Sequence, residues 1–177
     1  MSTSNDETRR RQERLRLSFF PADVGLLFVG ESPPASGRFF YQRDSGLYRA
    51  IRDTFRIVDP SITDASFLAA FQASGWYLID LCREPVDHLD SRSRRAACLA
   101  SETSLSRTIG RLQPSRIVTV VRSIEANVSR AAFRAGWLGP SLRLPYPGRW
   151  SRHKDRFVKD LVESITPLMT QKHRSAS

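Results

Sequence analysis

Apolar residues in this chain gather in short continuous runs that alternate with stretches of helical spacing. Residues 24–30 (VGLLFVG) form the first run, which is short, apolar and closed by glycine, and it predicts a buried strand feeding a tight loop. Leu47, Tyr48, Ile51 and Phe55 then recur on one helix face within residues 45–55. Residues 66–73 predict a second helix, broken at Gly75, and residues 76–81 (WYLIDL) a second strand. The following loop, 82–90, carries Pro85 and several charges. An amphipathic pattern through Ala97, Leu105, Ile109 and Leu112 predicts a long helix over 94–112, stopped by Pro114, and residues 116–121 (RIVTVV) a third buried strand. A helix over 124–135 closed by Gly136, a short fourth strand over 141–144, a loop over 145–153 and a last helix over 154–169 complete the pattern.

Short apolar strands alternating with helices predict an α/β fold: one domain with a central, mostly parallel four-stranded sheet flanked by helices on both faces. In such sheets the ligand crevice lies outside the carboxyl ends of the strands, so chemistry is expected in the loops after Val29, Ile79 and Leu144. The 177 residues suffice for one substantial core, assigned to residues 17–177. Residues 1–16 (MSTSNDETRRRQERLR) lack apolar periodicity and predict a basic arm, disordered or loosely helical, able to touch phosphate.

Charge narrows the partner class. Against 18 Asp+Glu stand 28 Lys+Arg, a formal net charge of +10, which favours polyanions because each neutralised phosphate releases counterions. Lysine occurs only at Lys154, Lys159 and Lys172, so the positive charge is mostly guanidinium, whose planar fork suits bidentate phosphate contacts. Two cysteines, Cys82 and Cys98, offer no disulfide framework and too few thiolates for a four-cysteine metal site, and His88 and His153 show no metal-ligand spacing. No apolar run approaches a signal sequence or a membrane span, and a reducing cytoplasm is the expected compartment.

Gly30-Glu31-Ser32-Pro33-Pro34, directly after the first strand, with Gly37-Arg38-Phe39-Phe40 downstream, resembles the first motif of the uracil-DNA glycosylase superfamily. Residues 76–85 (WYLIDLCREP) are similar to that family's second strand and Cys-Arg-x-Pro loop, residues 98–112 to the helix behind it, and Pro114-Ser115-Arg116-Ile117-Val118 to the start of its third strand. The likeness runs in order from about residue 24 to 165; each motif is short, so order and spacing carry it.

The resemblance implies a pocket for an everted base at the strand ends. Glu31 is the candidate that orients a water toward C1′ and opposes the oxocarbenium charge, with Ser32 where many relatives carry a catalytic Asp or Asn. Phe40, with Phe39 and Tyr41 beside it, is the candidate for stacking on the base. Asp80 stands where the family commonly has an asparagine reading the pyrimidine edge; an ionised carboxylate only accepts, so it favours a base offering donors unless it is protonated. Leu144-Pro145-Tyr146-Pro147-Gly148-Arg149-Trp150 resembles the second motif with Leu144 in place of its histidine, leaving His153 or Arg149 to stabilise the departing base. Trp150 or Arg149 would fill the gap left in the DNA, while Ser151, Arg152, His153 and Lys154 open a helix whose N–H groups favour phosphate. Cys82 and Cys98 resemble two cluster ligands of the iron–sulfur branch, but that branch's amino-terminal cysteine pair is absent, so they are read as inert remnants.

The expected protein is therefore a monomeric DNA glycosylase acting on single- or double-stranded DNA without metal or cofactor. Two other classes remain open: a catalytically silent DNA-binding relative, motivated by Ser32 and Leu144, and an enzyme of free nucleosides, which would need less positive surface.

Overall fold

The computed structural model describes residues 2–147 and 151–175. In chain order the elements are α1 (Ser2–Ser18), β1 (Leu26–Gly30), a 3-10 turn (Phe40–Gln42), α2 (Gly46–Val58), α3 (Phe67–Ala73) and β2 (Trp76–Asp80), followed by α4 (Ser91–Leu112), β3 (Arg116–Thr119), a second 3-10 turn (Arg122–Ile124), α5 (Glu125–Arg134), β4 (Ser141–Arg143) and α6 (Ser151–Ser175). The expected α/β architecture is present: the four strands form one parallel sheet in the order β2-β1-β3-β4.

The apolar runs become strands because both faces are covered. Every residue of β1 is buried, and its register sets Val29 beside Ile79 on β2 and beside Thr119 on β3. From β1 the chain steps outward to β2 and then returns across β1 to β3. With right-handed crossovers, that reversal places the β1-to-β2 helices on one face and α4 and α5 on the other. Helix α2 packs on α6, and α4 on α5. The reversal also opens a crevice beside the carboxyl end of β1, where the chain leaves in two directions.

Two helix starts fall earlier than periodicity predicts, and for α4 the cause is a cap. Asp90 accepts from the backbone N–H groups of Arg92 at 2.8 Å and Ser93 at 3.0 Å, so α4 begins at Ser91, three residues before Arg94. Helix α6 begins at Ser151, so Arg152, His153 and Lys154 are helical.

Residues 1–16 were expected as a disordered or loosely helical arm. From Ser2 they belong to α1, which is held by polar side chains that apolar periodicity does not register. Gln12 Nε2 donates to the Gly37 carbonyl oxygen at 3.1 Å, Arg16 Nη1 donates to the Tyr77 hydroxyl at 2.6 Å, and Arg9 pairs with Glu84. Behind α1, Phe19 stacks on Tyr41. The Tyr41 hydroxyl accepts from the Leu78 N–H at 2.9 Å and donates to the Leu78 carbonyl at 3.1 Å. The outer edge of β2 is thus covered and partly satisfied, which removes a template for strand addition.

Candidate active site

β1 and β2 keep pairing past their formal ends: Leu81 N–H donates to the Gly30 carbonyl at 2.9 Å and Cys82 N–H to the Glu31 carbonyl at 2.8 Å. The two loops they feed are then fastened together. Ser32 Oγ accepts from the Val86 N–H at 3.2 Å, and the Asp87 carboxylate accepts from the Ala35 N–H at 3.1 and 3.2 Å. Ser32, expected at a catalytic position, therefore joins loop to loop.

Asp80 and Glu31 meet at this rim. Asp80 is paired in register with Gly30, and a Cβ at Gly30 would collide with Asp80 Oδ1, so glycine is what lets the carboxyl fold inward over the strand end. Burial is the main reason the Asp80 carboxyl is pushed up to about 7; Arg16 pulls it down and Glu31 pushes it further up. Near neutrality Asp80 therefore exists in both protonation states, able to donate as well as accept.

Glu31 is 12% exposed and is gripped by Arg94 on the first turns of α4. Arg94 Nε donates to Glu31 Oε1 at 2.7 Å, and Nη2 donates to Oε2. The bidentate fork fixes the plane of the carboxylate. Behind it Cys98 Sγ lies 3.8 Å from Glu31 Oε1 and 3.7 Å from Cys82 Sγ. Burial first, then Cys82 and Glu31, push the Cys98 thiol up to about 12, so it is neutral at physiological pH. Both cysteines are free.

Tyr146 reaches the same region from the loop after β4. It is 48% exposed between buried Pro145 and Pro147, and its hydroxyl is raised above the ordinary phenol value by burial, then by the charge on Asp80, against Arg49. Leu144, in the place of the family's histidine, is fully buried core.

The aromatic candidates are enclosed in this structure. Phe40 is 3% exposed and packs 5.0–5.8 Å from Tyr41, Phe71 and Tyr48, so neither ring face is open to an incoming base without repacking the core. Phe39 is buried beside Tyr41, and Tyr41 is committed to the edge of β2. Helix α3, whose Phe67 and Phe71 close over this group, is the reason.

The last candidates divide. Gly148, Arg149 and Trp150 lie outside the described residues. Ser151 opens α6, His153 is half-buried in its first turn, and Arg152 is exposed. Lys154 Nζ lies 3.1 Å from Asp53 on α2, an ion pair that competes with phosphate for the ammonium. Among the described residues no group of three or more His, Cys, Asp or Glu side chains is arranged to hold a metal ion, and no helix is long and apolar enough to cross a membrane.

Arg94 is a site residue that the sequence does not single out: beside Arg92 and Arg95 it reads either as part of a phosphate-facing patch or as a solvated helix start. Its partner is 63 positions away, and no local signal announces the pairing. Neither a protein-family model nor a curated protein sequence matches the chain.

Proposed function

We propose that this chain is a DNA glycosylase of the uracil-DNA glycosylase superfamily, hydrolysing the bond between a damaged or modified base and deoxyribose. The observation that carries the reading is Asp80: a carboxyl near neutral pKa, seated on Gly30 at the carboxyl end of a parallel strand, in the field of a clamped Glu31 and beside Tyr146. Perturbed carboxyls in such a place are characteristic of sites that move protons.

In this scheme the base enters the rim between the loops after β1, β2 and β4. Protonated Asp80 donates to an acceptor on the base edge, removing the repulsion that an ionised carboxylate would exert on a uracil-like carbonyl. Glu31, oriented by Arg94, opposes positive charge at C1′ and directs water there. As the bond between C1′ and the base nitrogen breaks, its electron pair stays on the base, water oxygen bonds C1′, and the water proton is released.

Oligonucleotides carrying uracil, hypoxanthine, xanthine, mismatched thymine or modified cytosine test this directly. Abasic sites should form from at least one of them, with release suppressed in Glu31→Gln. A second reading, a DNA-binding protein without glycosylase activity, draws on the enclosure of Phe40 and on Arg94 already occupying both oxygens of Glu31. Salt-sensitive binding with no base release from any of these oligonucleotides would favour it.

A further inference from the structure

The middle of α1 is fastened across both loops of the candidate site: Arg9 pairs with Glu84 after β2, and Gln12 bonds Gly37 after β1. These anchors gather arginines. Arg38 follows Gly37, Arg83 precedes Glu84, and Arg10 and Arg11 lie between the two anchoring residues of the helix; all four are exposed, as is Arg14 one turn on.

Local acids do not balance them. Asp6 is shared by Arg9 and Arg10, and Glu13 is taken by Arg16. Arg11, Arg14, Arg38 and Arg83 have no ion-pair partner among the described residues, and Glu7 is the other exposed acid of the helix. Gathering like charges this way costs free energy that a polyanion relieves, with counterion release adding to the gain.

We infer that α1, together with Arg38 and Arg83, forms a phosphate-binding rim for the DNA strand whose base enters the site. The inference rests on the glycosylase reading and names where that enzyme grips its substrate. From Arg11 to Arg14, the two arginines of α1 without an ion-pair partner among the described residues, the helix advances about 4.5 Å. One strand of duplex presents a phosphate about every 3.4 Å of axis. The helix thus meets about two phosphates, and Arg38 and Arg83 extend the track toward the mouth.

The test measures affinity for a fluorescent duplex oligonucleotide against salt concentration. The triple variant Arg11→Gln, Arg38→Gln, Arg83→Gln removes no ion pair among the described residues and leaves Glu31, Asp80 and Arg94 untouched. Its control, Arg56→Gln, Arg107→Gln, Arg111→Gln, removes the same charge from exposed positions on the later turns of α2 and α4, at the far end of the sheet. The rim variant should lower the slope of log affinity against log salt by about 2–3, since each lost phosphate contact is worth about 0.9. The control should change it by less than about 1. Equal losses in both variants would overturn the rim while leaving the glycosylase reading in place. A wild-type protein that neither binds the duplex nor releases a base would overturn both.

Discussion

Glu31 and Glu102 are both held by arginine, and both meet helix α4, yet their surroundings diverge. Glu102 lies on α4 with its side chain fully enclosed. Its Oε1 accepts from Asn127 Nδ2 at 2.8 Å and from Arg130 Nε at 2.9 Å and Nη2 at 2.6 Å, all on α5, while Oε2 lies 3.5 Å from Arg134 Nη2 and has no hydrogen bond. The Arg130 hydrogen bonds hold its carboxyl below the ordinary range despite burial. Glu31 has one arginine, keeps some exposure, and has Asp80 near it in an unusual protonation state. Arginine clamps alone do not separate structural from chemical carboxylates. On the glycosylase reading, the mark of the chemical one is a second ionisable group driven away from its ordinary state at the mouth of a parallel sheet.

If that distinction holds, the largest effect belongs to Glu31→Gln. The amide keeps the volume but loses the charge, and base release should fall about 10²–10⁴-fold, the range for a positioned acid–base group. Stability should barely change, because Arg94 is 39% exposed and can be rehydrated. Glu102→Gln should do the reverse, lowering stability while activity per folded molecule stays constant. Single-turnover kinetics beside denaturant unfolding measures both, and an active Glu31→Gln would erase the contrast.

The next effect comes from Asp80, through pH. Its folded pKa of about 7 lies above the ordinary 3.8, so the folded state holds a proton that the unfolded chain gives up between those values. Stability conferred by the protonated carboxyl is present below about pH 4 and is lost as pH rises toward 7, after which it levels. Over that window wild type should lose roughly 2–4 kcal/mol relative to Asp80→Asn, given about 1.4 kcal/mol per pH unit and some residual hydration. Unfolding curves from pH 4 to 8 for the two proteins check this. Parallel curves would leave Asp80 an ordinary surface acid.

Strands and the direction of the sheet were legible because burial on two faces writes itself as continuous apolar runs such as residues 26–29 and 117–118. That the loops carrying Glu31, Asp80 and Tyr146 lie at one end of the sheet was legible from the parallel topology those runs imply. Neither the grip of Arg94 nor the seat of Asp80 on Gly30 was, since each depends on elements brought together from distant stretches of chain. The enclosure of Phe40 was not legible for a related reason: an aromatic beside a motif loop reads as platform or core alike until the position of α3 is known. The docking of helix α1 was not legible because hydrogen bonds and ion pairs, rather than an apolar stripe, attach it.

Removing Glu102 altogether sharpens the comparison from the structural side. Breaking a fully buried pair costs about 3–5 kcal/mol. Here Arg130 and Arg134 are 48% and 50% exposed and regain water, so Glu102→Leu should cost about 2 kcal/mol, mostly from the stranded Asn127 amide. The unfolding midpoint reports it, and a loss under about 0.5 kcal/mol would show that α4 and α5 do not depend on the carboxylate.

The smallest effects should come from conservative changes to the two clamps, and they discriminate best. A lysine supplies a point charge without the parallel pair of donors that fixes a carboxylate plane. At Arg94→Lys, Glu31 keeps its counter-charge and loses its orientation, so kcat should fall about tenfold, equivalent to about 1.4 kcal/mol, with KM close to wild type. At Arg130→Lys the ammonium still reaches Glu102, Asn127 and Arg134 remain, and the half-exposed position limits the loss to below about 1 kcal/mol of stability. Should Arg94→Lys instead lower the unfolding midpoint and leave kcat intact, Glu31 would belong with Glu102 as a fastening of the fold, and Asp80 alone would carry the chemistry of the rim.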